Sequence, residues 1–373
     1  MPGVSMVALP AQEIGKFRRR LLAWFAKRKR DLPWRKTKDP YRIWLSEIML
    51  QQTRVAAVVP YYNNFLVRFP GVQALARARE EAILSHWAGL GYYSRARNLH
   101  RAAQEIVARH GSVFPREYDA ALALPGIGRY TAAAVLSIAY NEPHAVLDGN
   151  VARVLARLHA VRGDLRAPAL WKRLETAAQE LLVRNTPGDW NQAMMELGAT
   201  VCVPKSPKCE ECPVAQWCRA RKLGIAGQLP EARKKRPPVR IALAAAVLID
   251  PGGRTLLVRQ DGGDGALFSR MWQFPALETT AGAASKLARH LREKFGVKVT
   301  RGRMTKLKTV RHSVTFREIR LEPFLIRVAG LPEIAGARTP MLGRFGRLPI
   351  SSVTRKIVDT AIADSENKRA LSP

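Results

Sequence analysis

All four cysteines of this 373-residue chain fall within one short stretch: Cys202, Cys209, Cys212 and Cys218, spaced C-x6-C-x2-C-x5-C. No other feature limits the possible folds as much. Thiols scattered through a core would not gather at one point. Disulfides need an oxidising compartment, and Met1 to Pro10 is too short and too uncharged at its head for a signal peptide. Four clustered thiolates are a ligand set for an iron–sulfur cluster or a structural zinc ion. Ligand type alone leaves both open, although the unequal gaps do not look like two paired zinc knuckles.

Charge sets the second limit. Lys and Arg number 62 against 30 Asp and Glu, a net charge of +32. Such an excess favours a polyanionic partner, nucleic acid first and an anionic membrane surface second. No apolar run approaches the ~18 residues of a spanning helix. A chain that is 47% hydrophobic can bury real cores, which excludes a disordered basic tail. Its length suits two domains better than one. The basic stretch Lys16 to Arg30 is interleaved with Leu21, Leu22, Trp24 and Phe25 and reads as an amphipathic helix rather than a transit peptide.

From Ile14 to Leu223 the pattern is nearly all helical. Val151, Val154, Leu155 and Leu158 repeat with helical period, as do Trp171, Leu174, Ala178, Leu181 and Leu182. Asp39-Pro40 predicts an N-cap and first-turn proline, with a helix from Pro40 through Gln52. The character changes after Cys218. Glycines, prolines and the basic run Arg233 to Arg236 mark a linker. Beyond it, Ile241 to Ile249 and Thr255 to Val258 flank Asp250-Pro251-Gly252-Gly253, a hairpin signal. A helix over Ala284 to Phe295 and a strand-like run from Val314 to Arg327 complete an α+β region.

Three motifs carry chemistry. Leu124-Pro125-Gly126-Ile127-Gly128-Arg129-Tyr130-Thr131 joins two helical patterns. Its glycines allow close backbone approach, and the helix that follows offers a positive dipole end to a phosphate. An ordinary helix–helix turn is the plainer reading. Asp148, in Leu147-Asp148-Gly149-Asn150-Val151, stands where an N-cap belongs. Glu47 lies in the apolar run Trp44-Leu45-Ser46-Glu47-Ile48-Met49-Leu50. If buried, its carboxyl keeps a proton near neutral pH and suits a general acid. If the helix is amphipathic, it is a solvent-facing glutamate.

Together with Leu32-Pro33-Trp34-Arg35, Gln51-Gln52-Thr53, Gly89-Leu90-Gly91-Tyr92-Tyr93-Ser94-Arg95 and Glu196-Leu197-Gly198-Ala199, these strings resemble the adenine DNA glycosylases of the MutY type, in the helix–hairpin–helix, or endonuclease III, superfamily. The resemblance implies a multi-domain chain. An all-α helix–hairpin–helix glycosylase region with a [4Fe–4S] loop, residues 1–223, is followed by a linker at 224–238. An α+β MutT-like (Nudix-like) domain at 239–365 and a tail at 366–373 complete it. The hairpin subdomain spans about 36–142, and the N-terminal helix joins 143–223 in the iron–sulfur subdomain. Cys202, Cys209, Cys212 and Cys218 would hold the cluster. Gly126, Ile127 and Gly128 would meet the DNA backbone. Glu47 and Asp148 would be catalytic, with Tyr130 and Asn150 supporting the sugar side. Trp34, Arg35, Leu50 and Gln192 would line an adenine pocket, while Gln52 and Tyr92 fill the vacated duplex. Bifunctional relatives carry a lysine in the slot of Tyr130, which would attack the sugar carbon. Tyrosine therefore implies a monofunctional enzyme that uses water.

The C-terminal region resembles the MutT-like domain with which such proteins sense 8-oxoguanine opposite adenine. Of the acidic positions expected for Mg2+ only Glu293 remains, beside His290 and Lys294, so hydrolase activity is expected to be lost. Val310-Arg311-His312-Ser313 stands in for the sensing loop, with His312 in the role of its histidine. The expected partner is double-stranded DNA carrying A:8-oxoguanine or A:G, bound by a monomer with no membrane association. The expected location is cytoplasmic, at the nucleoid, if the source is bacterial. Two other readings stand beside this one: an endonuclease III-type glycosylase/lyase for oxidised pyrimidines, opposed by Tyr130, and a non-catalytic DNA binder, opposed by Glu47 and Asp148.

Overall fold

The computed structural model describes residues 9–231, 237–259, 270–299, 303–314, 316–346 and 348–370. The chain divides into two compact units, Met1–Arg77 with Asn98–Lys234, and Ala78–Arg97 with Lys235–Pro373. Among the described residues no helix is long and apolar enough to cross a membrane.

In chain order the first twelve helices are α1 (Ala11–Arg28), α2 (Pro40–Leu50), α3 (Val55–Arg68), α4 (Val72–Ala76), α5 (Glu80–Trp87), α6 (Tyr93–Arg109), α7 (Tyr118–Ala123), α8 (Arg129–Tyr140), α9 (Gly149–Leu158), α10 (Pro168–Leu181), α11 (Pro187–Thr200) and α12 (Arg219–Lys222). Helix α5 and the start of α6 group with the second unit. There Arg270 pairs with Glu80 at 2.9 Å, and Trp272 Nε1 donates to Glu81.

Helix α2 begins as its sequence predicts. The Asp39 carboxylate accepts from Tyr41 N at 2.8 Å, and Pro40 opens the first turn. It ends at Leu50, not Gln52, because Gln51 leaves the helical region with ψ 111° and Gln52 takes a φ of 58°. Tyr41 and every residue from Ile43 to Met49 are buried, so beyond the exposed Arg42 this helix is a core element. Helix α9 holds a larger surprise. All of Val151 to Leu158 is buried, including Arg153 and Arg157, where the apolar period predicted one exposed face. Within the expected linker, Leu229 is 1% exposed and packs on Ala220 and Ala226, and Arg157 Nε donates to Leu229 O at 2.8 Å. The Glu231 carboxylate accepts from Gly163 N. The basic run Arg233 to Arg236 lies outside the described residues.

The second unit is built on strand β1 (Val239–Ile249), followed by β2 (Val258–Arg259), β3 (Trp272–Gln273), β4 (Ala276–Glu278), helix α13 (Ala283–Phe295), β5 (Met304–Lys306), β6 (Val310–Val314), β7 (Arg317–Arg327) and helix α14 (Ser352–Ala370). The main sheet runs β4-β1-β7-β5, with β6 also on β7. Strands β1 and β7 are parallel, from Val239↔Arg317 to Ile249↔Arg327. Period two explains the layers. Ala245, Val247 and Ile249 face a core with Ile357 and Ala361 of α14, while Ala244, Ala246 and Leu248 face Leu287 and Leu291 of α13.

Three expectations change here. The turn after Ile249 closes only one bridge, Ile249↔Thr255, because Leu257 pairs its backbone with Arg338 instead. The run from Val314 is two strands, since β6 ends at Val314 and β7 starts at Arg317. Helix α14 continues through Ala370, across most of the expected tail, with no glycine or proline to stop it.

Candidate active site

The first unit holds a cavity of about 640 Å3. Trp34, Arg35, Glu47, Leu50, Gln52, Tyr130, Asp148, Asn150 and Gln192 all line it, brought together from five separate stretches of chain.

Glu47 is 5% exposed on the buried α2. Tyr130, in the first turn of α8, donates its hydroxyl to Glu47 Oε2 at 2.5 Å and also lies 3.2 Å from Met195 Sδ. Burial pushes the Glu47 carboxyl up to about 7, against the opposing pull of the tyrosine bond, and the Asp148 charge adds to the rise. Burial, then the two neighbouring carboxylates, holds the Tyr130 hydroxyl well above its ordinary value, so it stays a donor.

Asp148 serves two ends at once. Its Oδ1 caps α9 by accepting from Val151 N at 2.7 Å, and its Oδ2 accepts from Asn150 Nδ2 at 2.9 Å. Burial raises its pKa, while these hydrogen bonds and Arg153 oppose the rise. Arg153 grips the turn from behind, donating to Asn150 Oδ1 at 2.8 Å, to Gly198 O at 2.7 Å and to Cys202 O at 2.8 Å. A Cβ on Gly198 would come within 2.7 Å of Asn150 Cβ, so α11 can approach this turn only through a glycine.

The cavity wall carries a group whose part the sequence reading missed. Glu196 is 1% exposed and accepts from Arg30 Nη2 and Arg35 Nη2, both at 2.7 Å. Burial alone would raise its pKa, but the two arginines overcome this and hold it near 2. The signal was present: like Glu47, Glu196 interrupts an apolar helical run. Arg35 also lies 5.3 Å from the Phe25 ring centroid. Trp34 sits on the 3-10 turn Pro33–Lys36, edge-on to Tyr62 at 5.3 Å. Gln192 bonds to Gly188 O.

Gln52 and Tyr92 share a rare backbone state, with φ of 58° and 50°. Non-glycine residues held there mark turns under constraint. Tyr92 belongs to the second unit, as does His312, so neither is among the cavity residues. His312 lies on β6, paired with Ile319, and not on a free loop, and its Nε2 is 3.5 Å from Ser352 Oγ. Burial, then Lys356, lowers its pKa. Glu293 is exposed on α13.

In the hairpin, Gly126 takes φ +76° and packs against Asn98, where a Cβ would meet that side chain at 2.6 Å. Ile127 is buried and its amide closes the turn onto Leu124 O. Gly128 caps α8, whose first-turn amides are the helix-end donors.

Cys202, Cys209, Cys212 and Cys218 line one small cavity with Arg157. Arg157, 1% exposed, donates to Cys202 Sγ at 3.2 Å and to Val203 O at 2.8 Å. Burial, then the neighbouring cysteines, pushes the Cys212 thiol up to about 12, so four thiolates here need a bound cation. Among the described residues no three of His, Cys, Asp and Glu converge on a single-ion site. Sulfurs spread around a cavity, with an arginine donating to one of them, suit a cluster better than one zinc ion.

The model of the HhH-GPD superfamily base excision DNA repair protein matches residues 45–182, and that of the iron-sulfur binding domain of endonuclease III matches residues 202–218. The human adenine DNA glycosylase is 37% identical over 318 residues, covering 71% of this chain and 58% of that protein. The chain belongs to the HhH-GPD superfamily. Within it, the chain is of the MutY type, and its four cysteines are the ligands of a [4Fe–4S] cluster. The adenine DNA glycosylase of Buchnera aphidicola subsp. Schizaphis graminum is 38% identical over 221 residues, covering 59% of this chain and 64% of its own. The chain thus spans about three fifths of the length of these curated relatives. A solved thermostable thymine-DNA glycosylase superposes with a TM-score of 0.51 at 30% identity, over 57% of this chain and 98% of that one. An endonuclease III–DNA covalent intermediate, at 22% identity and TM-score 0.50, shares the fold.

Proposed function

We propose that this HhH-GPD protein is a monofunctional DNA glycosylase that removes adenine mispaired with 8-oxoguanine or guanine in double-stranded DNA, in base excision repair. The observation that carries the reading is Glu47: a buried carboxyl with a pKa near 7, held by Tyr130 in the cavity that also contains Asp148. The target adenine leaves the stack and enters this cavity. Glu47 gives its proton to adenine N7. The C1′–N9 bond breaks, and its electron pair leaves with the base. Asp148, whose hydrogen bonds from Val151 and Asn150 favour the charged form, faces the positive sugar. Water adds to C1′ and passes its proton to a carboxylate. Two carboxyls in different environments divide the work.

Tyr130 stands where a lyase would need an amine, and among the described residues no lysine lines the cavity. Trp34, Arg35, Leu50 and Gln192 are the pocket walls. Gln52 and Tyr92, on strained backbone, are the residues that fill the vacated duplex. Gly126, Ile127 and Gly128 present the hairpin to a phosphate. The domain scheme of a glycosylase region, a linker and a MutT-like 8-oxoguanine sensor around His312 goes with this reading. So does action as a monomer at a cytoplasmic nucleoid, if the source is bacterial. The cluster would brace the Cys202–Cys218 loop through its four cysteines, with Arg157 donating to Cys202 Sγ.

One assay tests this. The protein is incubated with A:8-oxoguanine, A:G and A:C duplexes, with and without alkali. Strand breaks only after alkali are the expected result. Breaks without alkali would mean a lyase, and no product would leave a DNA-binding protein. Asp148→Asn keeps a good helix cap but loses the charge, so excision should fall by about 10²–10³-fold with the fold intact.

A further inference from the structure

Tyr130 has one hydroxyl proton and two acceptors within reach. It donates to Glu47 Oε2 at 2.5 Å, and Met195 Sδ lies 3.2 Å from the same oxygen. A thioether is a weak acceptor, so the hydrogen bond goes to Glu47. Met195 sits on α11 and, among the described residues, is the methionine that lines the active-site cavity. It is partly exposed there, whereas its neighbour Met194 is 2% exposed and Met49 of α2 is fully buried. A small solute that enters the cavity therefore meets one thioether, and that thioether touches the tyrosine that holds Glu47.

Peroxides oxidise thioethers. A sulfur lone pair forms the new S–O bond, the O–O bond breaks, and hydrogen peroxide leaves as water. Sulfur gives up two electrons and the peroxide takes them. The product is polar and chiral, and its oxygen is a stronger hydrogen-bond acceptor than the sulfur was. An oxygen added on the side facing Tyr130 finds no room within the 3.2 Å gap. Tyr130 must then move off Glu47 or turn its O–H to the new acceptor. We propose that Met195 is a modification site for peroxides, and that its sulfoxide draws the Tyr130 hydroxyl away from Glu47 and slows excision. This rests on the reading of Glu47 as the acid. The charges facing Glu47 fix the accompanying change with pH. Burial raises its pKa, the Tyr130 bond from α8 lowers it, Asp148 before α9 raises it, and Arg35 from the turn before α2 lowers it. Arg30, Arg153 and Glu196 complete the charged lining and are held by partners of their own. Without the tyrosine bond the raising influences are less opposed, so Glu47 keeps its proton to higher pH.

The test uses the full-length, cluster-bearing protein and hydrogen peroxide at a dose that leaves the cluster absorbance unchanged. Peptide mass spectrometry should find Met195 oxidised on the timescale of Met341, which is 45% exposed, and well before Met194. Single-turnover excision on A:G should fall by about tenfold or more against the untreated protein, as misplacement of a group in the site does. The decline of the rate with rising pH should begin at higher pH than before. Methionine sulfoxide reductases of both epimer specificities should restore the rate and the pH profile, which damage to the cluster would not allow. Met195→Leu conserves volume and has no sulfur to oxidise, so the treated variant should hold its own untreated rate. Equal loss in treated Met195→Leu would overturn the proposal. So would a Met195 sulfoxide with an unchanged rate, or a Met195 no more reactive than Met194. An untreated protein that excises no adenine would end the proposed function instead. The site would then stand or fall on oxidation of Met195 ahead of Met194 and on melting, where the fall of the thermal midpoint with pH should extend to higher pH after oxidation.

Discussion

The two units differ in where their buried charge sits. In the first, ionisable groups go inside: Glu47, Glu196, Arg153 and Arg157 are all buried, and each has a named partner. The second also buries charge, at Arg95, Arg97 and Asp250, but among the described residues the two layers packed on β1 are apolar and Arg259 and Lys294 stay exposed. A desolvated carboxyl acquires a pKa suited to proton transfer, whereas exposed cations can only attract. The contrast predicts that single-atom changes inside the first unit act on chemistry, while changes in the second act on recognition.

The largest effect should come from Glu47→Gln. The amide keeps the shape and cannot deliver the proton, so single-turnover excision should fall by about 10²–10⁴-fold with duplex affinity retained. A near-normal rate would remove Glu47 from the acid role and end the comparison.

The same variant sharpens the comparison through pH. Glu47 rises from 4.5 in the unfolded chain to about 7 in the folded one. The folded state thus binds more protons between these values, and stability falls as pH climbs through that window. Above pH 7 the buried carboxylate costs on the order of 3 kcal/mol, given 1.36 kcal/mol per unit. Glu47→Gln should therefore melt above the wild type at pH 8, with the difference vanishing near pH 4. Excision by the wild type should decline as pH rises through about 7. Equal melting at both pH values would mean that Glu47 is not desolvated.

A smaller loss is expected from Gly198→Ala. Its methyl would meet Asn150 at 2.7 Å and displace the turn that carries Asp148. Overpacking of this kind costs about 1–3 kcal/mol. A lowered thermal midpoint with a roughly tenfold slower excision step is expected. Slower excision with an unchanged midpoint would mean that the turn yields at no cost in stability.

These residues were not equally legible in the sequence. Glu47 stood out because a carboxylate interrupted an apolar run, and Asp148 because it preceded a helix. Glu196 carried the same signal as Glu47, but its meaning depends on Arg30 and Arg35, about 160 residues away. Arg153 and Arg157 looked like the polar face of an amphipathic helix. Only the carbonyls of the cysteine loop, placed by tertiary packing, make them interior residues. Gly224, Gly227 and Pro230 signal a loop, whereas the burial of Leu229 comes from its packing on Ala220 and Ala226, which sequence does not display. In the second unit the apolar run Ile241 to Ile249 beside a turn signal marked β1. The pairing of Leu257 with Arg338, which diverts the expected hairpin, is a long-range choice with no local signature.

The smallest effect belongs to His312. It lies in a paired strand, partly buried, with Ser352 at 3.5 Å and the Lys356 charge nearby. A neutral imidazole so placed can offer one hydrogen bond to a base, and a single neutral bond is worth about 0.5–1.5 kcal/mol. His312→Ala should therefore lower the ratio of excision on A:8-oxoguanine to that on A:G by roughly twofold to tenfold, with the A:G rate unchanged. The tip of the same β6–β7 hairpin carries Phe316, 54% exposed, with the Arg317 guanidinium 5.3 Å from its ring centroid. An exposed aromatic beside a cation is a stacking surface for a nucleobase. Phe316→Ala is thus the comparison that decides where recognition sits. If His312→Ala leaves the ratio untouched and Phe316→Ala collapses it, the contact moves from the flank of the hairpin to its tip. Recognition by the second unit would then rest on stacking by an exposed side chain, as the contrast between a buried interior and an exposed surface requires. If neither changes the ratio, this hairpin does not read the opposite base, and discrimination must arise in the first unit.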